Sequence, residues 1–64
     1  MTELLPIYET DNYILAVIKL LEKEKIVYAL RLLTKKSKEL QTITKSCELN
    51  EVKREYALLS QKLH

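Results

Sequence analysis

The chain has 64 residues, of which 47% are hydrophobic, with no glycine, one proline, one cysteine and one histidine. A chain of this length buries only about 60% of the surface that its unfolded form exposes, so it can form one small domain at most. The lack of glycine argues against phosphate-binding loops and type I′ hairpin turns, because both need backbone with φ above zero. The composition therefore favours helices.

The net charge is +2, from 11 basic and nine acidic residues, which is too balanced to make nucleic acid the default partner. The distribution is uneven, because residues 31–45 hold five basic side chains against one acidic side chain. This segment is the only strongly basic part of the sequence.

Three features predict a cytoplasmic protein in a reducing compartment. A single cysteine, Cys47, cannot form an internal disulfide, and no second cysteine lies near it to build a structural metal site. Residues 1–11 hold acidic but no basic side chains, unlike a secretory signal. The longest apolar run, residues 13–21, has about half the length of a membrane-spanning helix, so no membrane span is expected.

The first part of the chain predicts an arm followed by a helix. Residues 1–10 include Pro6 and show no helical stripe, which favours an extended arm. Thr10, Asp11 and Asn12 are residue types that cap helices, and they predict helix A over about 12–22. A strand is the rival for residues 13–18. Helix is preferred because residues 22–25 are good helix formers and none favours a hairpin turn.

Helix B is predicted over about 25–47, with one continuous helix over about 12–47 as the alternative. Its first turns are densely apolar, and beyond them only Leu40, Ile43 and Cys47 continue a stripe. Leu33, Leu40 and Cys47 are spaced by seven, as in a coiled-coil seam, but the repeat covers only two heptads.

Helix C is predicted over about 51–63, because the apolar stripe changes phase and restarts at Val52, Tyr56 and Leu59. Asn50 can cap its start, and Lys62 suits the dipole at its end. The expected fold is an all-α single domain over 1–64, a two- or three-helix hairpin or bundle with an extended N-terminal arm and a long central helix.

This shape predicts a protein partner. Helix B would be about 34 Å long, whereas a compact domain of this size is about 28 Å across. Fifteen of the 21 residues from 13 to 33 are hydrophobic, more than one short helix can cover. We expect a small interaction protein, an adaptor, chaperone-like subunit or regulator, that docks an apolar helix face on itself or on a helical partner. The predicted interface residues are Ile14, Ile18, Leu21, Tyr28, Leu30, Leu33, Leu40, Ile43 and Cys47, with Cys47 as a small buried hydrophobe.

The alternative is a small dimeric DNA-binding regulator, with a helix-turn-helix over residues 42–59. Glu48 stands where the turn would favour glycine. The possible phosphate contacts are Arg31, Lys35, Lys38, Lys45, Lys53 and Arg54.

No enzyme, cofactor, metal or small-molecule substrate is expected. No cluster combines a nucleophile, a base and an anion site, and the carboxylates of Glu51 and Glu55 are expected on a solvated helix face.

Overall fold

The computed structural model describes residues 5–63, in which an antiparallel sheet of four strands precedes one helix. The strands are β1 (Tyr8–Glu9), β2 (Tyr13–Glu22), β3 (Lys25–Thr34) and β4 (Glu39–Ser46), and the helix is α1 (Leu49–Lys62). Neighbouring strands in the chain are neighbours in the sheet, in the order β1-β2-β3-β4. The predicted all-α bundle and its coiled-coil-like seam are therefore wrong, because the segments assigned to helices A and B are strands.

The connection between β2 and β3 is the hairpin turn that the sequence argued against. Lys23 and Glu24 both have positive φ, 48° and 65°, as in a type I′ turn. Each non-glycine residue in this region costs about 1–2 kcal/mol. The hairpin offsets that cost along its whole length, since the two strands pair continuously from Tyr13↔Thr34 to Glu22↔Lys25. Long strand pairing thus overrides an unfavourable turn sequence.

The next hairpin joins β3 to β4 through residues 35–38. Lys38 has φ of 59°, and its N–H donates to the carbonyl of Thr34 at 2.7 Å. The register between β3 and β4 shifts beside Leu30 and Arg31, which leaves Ile43 as an extra residue in a β-bulge. Leu40 and Ile43 of the predicted seam therefore lie in the bulged edge strand β4 and Cys47 in the turn after it, whereas Leu33 lies in the middle strand β3.

The three residues predicted to cap helix A form the turn between β1 and β2 instead. The Oγ1 of Thr10 accepts from the N–H groups of Asn12 at 3.3 Å and Tyr13 at 3.0 Å. The N–H of Thr10 donates to the carbonyl of Tyr13 at 2.8 Å. A short side-chain oxygen serves a turn as readily as a helix start, so this pattern could not distinguish them.

Helix α1 overlaps the predicted helix C and carries Lys62 in its last turn. Its start differs from the prediction, because Glu48 is the N-cap residue and Asn50 lies within the helix. The hydroxyl of Ser46 accepts from the N–H of Glu48 at 3.0 Å and donates to the carboxylate of Glu51 at 2.9 Å. Ser46 therefore stabilises the approach to the helix from the end of β4.

The core lies between α1 and one face of the sheet. Leu15, Val17, Leu30 and Val52 are fully buried there. Partly buried side chains surround them, namely Leu5, Tyr8, Tyr28, Leu32, Leu49, Tyr56, Leu59 and Leu63. The hydroxyl of Tyr56 donates to the carbonyl of Pro6 at 2.7 Å, which holds the start of the described chain against α1. Residues 1–4 of the predicted arm lie outside the described residues.

The hairpin of β2 and β3 extends beyond the helix. Ten strand residues span about 34 Å and the 14 residues of α1 about 21 Å, within a molecule measuring 36 × 21 × 16 Å. Near the hairpin tip, the paired Leu21 and Ile26 are 75% and 47% exposed. The element that overhangs is a hairpin and not the predicted helix B. Among residues 5–63, no helix has the length and apolar character needed to cross a membrane.

Candidate protein-docking face

The sheet face opposite α1 carries a continuous apolar surface. Side chains alternate between the two faces of a strand, so the neighbours of the core residues Leu15, Val17 and Leu30 point away from the helix. Within residues 5–63, no helix or second sheet lies over this side. We call it the open face and define it by Ile14, Ala16, Ile18, Leu20, Val27, Ala29, Arg31, Leu33, Leu40 and Thr42.

Burial on the open face decreases from its middle to its edge. Ile18 and Val27 are 7% and 9% exposed, and Ala29 is fully buried. Ile14, Leu20 and Leu33 are half-buried. Leu40, on the edge strand β4, is 60% exposed. The open face is therefore a mostly buried aliphatic surface with one exposed leucine, Leu40, at its β4 edge.

The sequences of β2 and β3 are typical of strands covered on both sides. A sheet with one solvated face shows alternating polar and apolar residues, whereas strands buried on both faces read as continuous apolar runs. Lys19 is the only charged residue between Tyr13 and Leu21, and it lies on the α1 side. Arg31 is the only charged residue between Ile26 and Leu33. By this pattern the open face is a surface suited to burial.

Ion pairs border the open face at two places. Lys35, in the loop after β3, pairs with Glu9 at the far end of β1. The Nζ of Lys45 lies 2.7 Å from the carboxylate of Glu22. Because β4 and β2 flank β3, this second pair passes over the middle strand near Val27. Both pairs are partly exposed, so each contributes about 0–1 kcal/mol to stability. Their main effect is to neutralise the charges at the border of the open face.

Arg31 lies on the open face and, unlike Lys45 and Glu22 on the same side, has no ion-pair partner among the described residues. It lies in the middle strand opposite Ala16 on one side and Thr42 on the other, with Ala29 and Leu33 as its neighbours along β3. Its Nε atom is buried and has no hydrogen-bond partner among the described residues. A buried donor without an acceptor costs about 1–3 kcal/mol. The open face thus combines an apolar surface with one unsatisfied cationic donor.

The predicted interface residues divide between the two sides of the sheet. Ile14, Ile18, Leu33 and Leu40 lie on the open face, whereas Leu30 is part of the core and Tyr28 packs against that core. Leu21 lies on the α1 side at the hairpin tip, and Ile43 is the bulge residue.

Cys47 lies exposed in the turn before α1, so its predicted burial is wrong.

Sequence reasoning missed four apolar members of the open face, namely Ala16, Leu20, Val27 and Ala29. The period-two alternation around Leu15 and Val17 could have found them, had these segments been assigned to strands.

The possible phosphate contacts do not form one surface. Arg31 and Lys45 point to the open face, Lys53 and Arg54 are exposed on α1, and Lys35 and Lys38 lie in the loop between β3 and β4. Lys35 and Lys45 already pair with carboxylates.

The predicted helix-turn-helix over 42–59 is wrong, because residues 42–46 belong to β4. The carboxylates of Glu51 and Glu55 are both exposed on α1. Among residues 5–63, no group of three or more His, Cys, Asp or Glu side chains could hold a metal ion.

In comparisons with known proteins, no family, no curated protein and no solved structure matches this chain.

Proposed function

We propose that the chain is a small, non-catalytic protein-interaction module, an adaptor or regulator that docks through its open face. The observation that carries the proposal is that the sequence pattern of β2 and β3 predicts a sheet covered on both faces, whereas the fold covers one face. Both long strands have the continuous apolar pattern of a sheet covered on two sides, yet among residues 5–63 only α1 covers it, on one side. A protein partner on the open face supplies the missing layer.

The chemistry of the open face supports a protein surface as its ligand. Contiguous apolar patches with a polar rim mark interaction sites in small domains. Here the rim carries the ion pairs of Glu9 with Lys35 and Glu22 with Lys45, and the centre is aliphatic. Arginine within an apolar surface is enriched at protein interfaces. A cytoplasmic setting belongs to the proposal, because reducing compartments keep a free exposed thiol such as Cys47 unpaired.

The test compares two exposed leucines. Leu40 is 60% exposed on the open face and Leu58 is 48% exposed on α1, so glutamate at either position leaves the core intact. We expect L40E to abolish binding and L58E to leave it unchanged within about twofold, because only L40E places a charge on the docking surface. Binding is measured with 16-residue peptides selected from a random phage-displayed library, and by sedimentation equilibrium of the chain alone.

Two results would contradict the proposal. One is the absence of both peptide binding and self-association at millimolar protein. The other is an equal loss of binding in L40E and L58E, with both variants giving the amide NMR spectrum of the folded parent.

A further inference from the structure

We propose that the open face accepts an apolar segment of another protein that carries a carboxylate, with that carboxylate bound by Arg31. The inference rests on the proposed docking function and names the chemistry of the partner. It is drawn from the unsatisfied Nε of Arg31, the pairing of the other charges around it and the size of the surface.

Among the described residues, no carboxylate pairs with Arg31. The nearby acids are engaged elsewhere, Glu9 with Lys35 and Glu22 with Lys45. The neighbours of Arg31 in the sheet are Ala16 and Thr42 across the strands and Ala29 and Leu33 along β3. A guanidinium prefers a carboxylate, which accepts two parallel N–H bonds from it. The complementary ligand is therefore apolar around one acidic group.

Two of the neighbours of Arg31 in the sheet are small. Ala16 and Ala29 are the only alanines on the open face, and both adjoin Arg31 in the sheet. Larger side chains, Ile14, Ile18 and Leu33, lie around this position. Arg31 as a whole is only partly buried, so a partner docked on the aliphatic surface covers it and excludes water from it. Exclusion of water strengthens a paired charge and penalises an unpaired one.

A second copy of the chain is the less suitable occupant. The open face measures about 24 by 14 Å, or about 340 Å² for each copy, from seven residues along three strands. Two such faces bury about 700 Å², below the 1,200–2,000 Å² of stable specific interfaces, so this face by itself supports only a weak, transient complex with any occupant. A symmetric pair would also enclose both Arg31 side chains without a free carboxylate for either, since Glu9 and Glu22 are engaged.

A nucleic acid is also less suitable. Phosphate contacts need several unpaired basic groups along a polar surface, whereas Lys45 on this side of the sheet is paired with Glu22 and the neighbours of Arg31 are mostly aliphatic. A flexible protein segment can instead lay apolar side chains along β2 and β3 and place one carboxylate over Arg31.

The experiment uses the peptides selected against the full chain and measures their affinity by titration calorimetry. We expect the selected sequences to share one Asp or Glu among apolar residues. R31Q should weaken binding about 10-fold or more, as expected for a charge-assisted hydrogen bond. Changing the peptide's acid to its amide should weaken binding similarly, and combining both changes should add little further loss. R54Q, a matched change of an exposed arginine on α1, should leave affinity within twofold.

Folding of R31Q is checked by its amide NMR spectrum, and the acid-to-amide peptide tests the same pair on the unaltered chain. Peptides that bind but lack an acid, or that bind R31Q as tightly as the parent, would overturn the carboxylate inference while leaving the docking face intact. A dimer that L40E abolishes, or duplex DNA that displaces the peptide, would overturn it in favour of that occupant. If no peptide or copy binds, the proposed function itself fails.

Discussion

Lys23 and Glu24 occupy a region of backbone space that glycine and asparagine adopt more readily. Positive φ at these two residues, and at Lys38 in the next hairpin, is the local cost of building two hairpins without glycine. Strand pairing over both hairpins holds these residues in place. Composition alone could not predict the turns, because absence of glycine makes a turn unfavourable without forbidding it.

Glycine at position 24 should therefore stabilise the protein. The change removes about 1–2 kcal/mol of left-handed strain and adds about 0.5–1 kcal/mol of entropy to the unfolded chain. We expect Glu24→Gly to raise the free energy of unfolding by about 0.5–1 kcal/mol, measured by urea denaturation.

Lys36→Gly is the control, because Lys36 is exposed in the second hairpin loop and its φ is not positive. It should lower the free energy of unfolding by about 0.5 kcal/mol. Equal effects of glycine at the two positions would show that the turn at residues 23–24 does not have the described geometry.

At the scale of elements, the sequence predicted the helix and missed the strands for one reason. Helix C was assigned from the spacing of Val52, Tyr56 and Leu59, a period that a strand does not produce. Residues 13–21 and 26–33 are apolar at almost every position, so their period is undefined. A buried strand and a buried helix then have the same apolar pattern. The helix prediction rested on residues 22–25, which are good helix formers but in fact form the hairpin turn.

The junction of β4 and α1 offers a direct test of how the helix begins. The hydroxyl of Ser46 bonds the N–H of Glu48 and the carboxylate of Glu51, whereas Asn50 lies inside the helix. We expect Ser46→Ala to lower the free energy of unfolding by about 1 kcal/mol, since it removes both bonds. The measurement is urea denaturation followed by far-UV circular dichroism.

Asn50→Ala is the matched change in the same segment. Alanine is the better helix former, so this substitution should raise the free energy of unfolding by up to about 0.5 kcal/mol. If Asn50→Ala proved the more destabilising of the two, Asn50 would be the cap and the start of α1 would lie later in the chain.

At the scale of the whole molecule, the candidate site is the face of the sheet that α1 does not cover. The sequence predicted an apolar surplus over residues 13–33 and a partner to cover it. It could not assign that surplus to the correct surface, because helix geometry groups different residues from strand geometry. Ile14, Ile18 and Leu33 lie on the open face, but Leu30 belongs to the core. The composition shows that residues 13–33 carry an apolar surplus. Only the pairing register of the strands shows which of these residues share one face of the sheet.

The most direct test is the pattern of intermolecular NOEs between a bound peptide and the methyl groups of the full chain. The docking face predicts NOEs to the methyls of Leu20, Leu33 and Leu40, and none to Leu58 on α1. NOEs confined to Leu58, or to Leu21 and Ile26 at the hairpin tip, would contradict it and place the interaction on the helix side of the sheet.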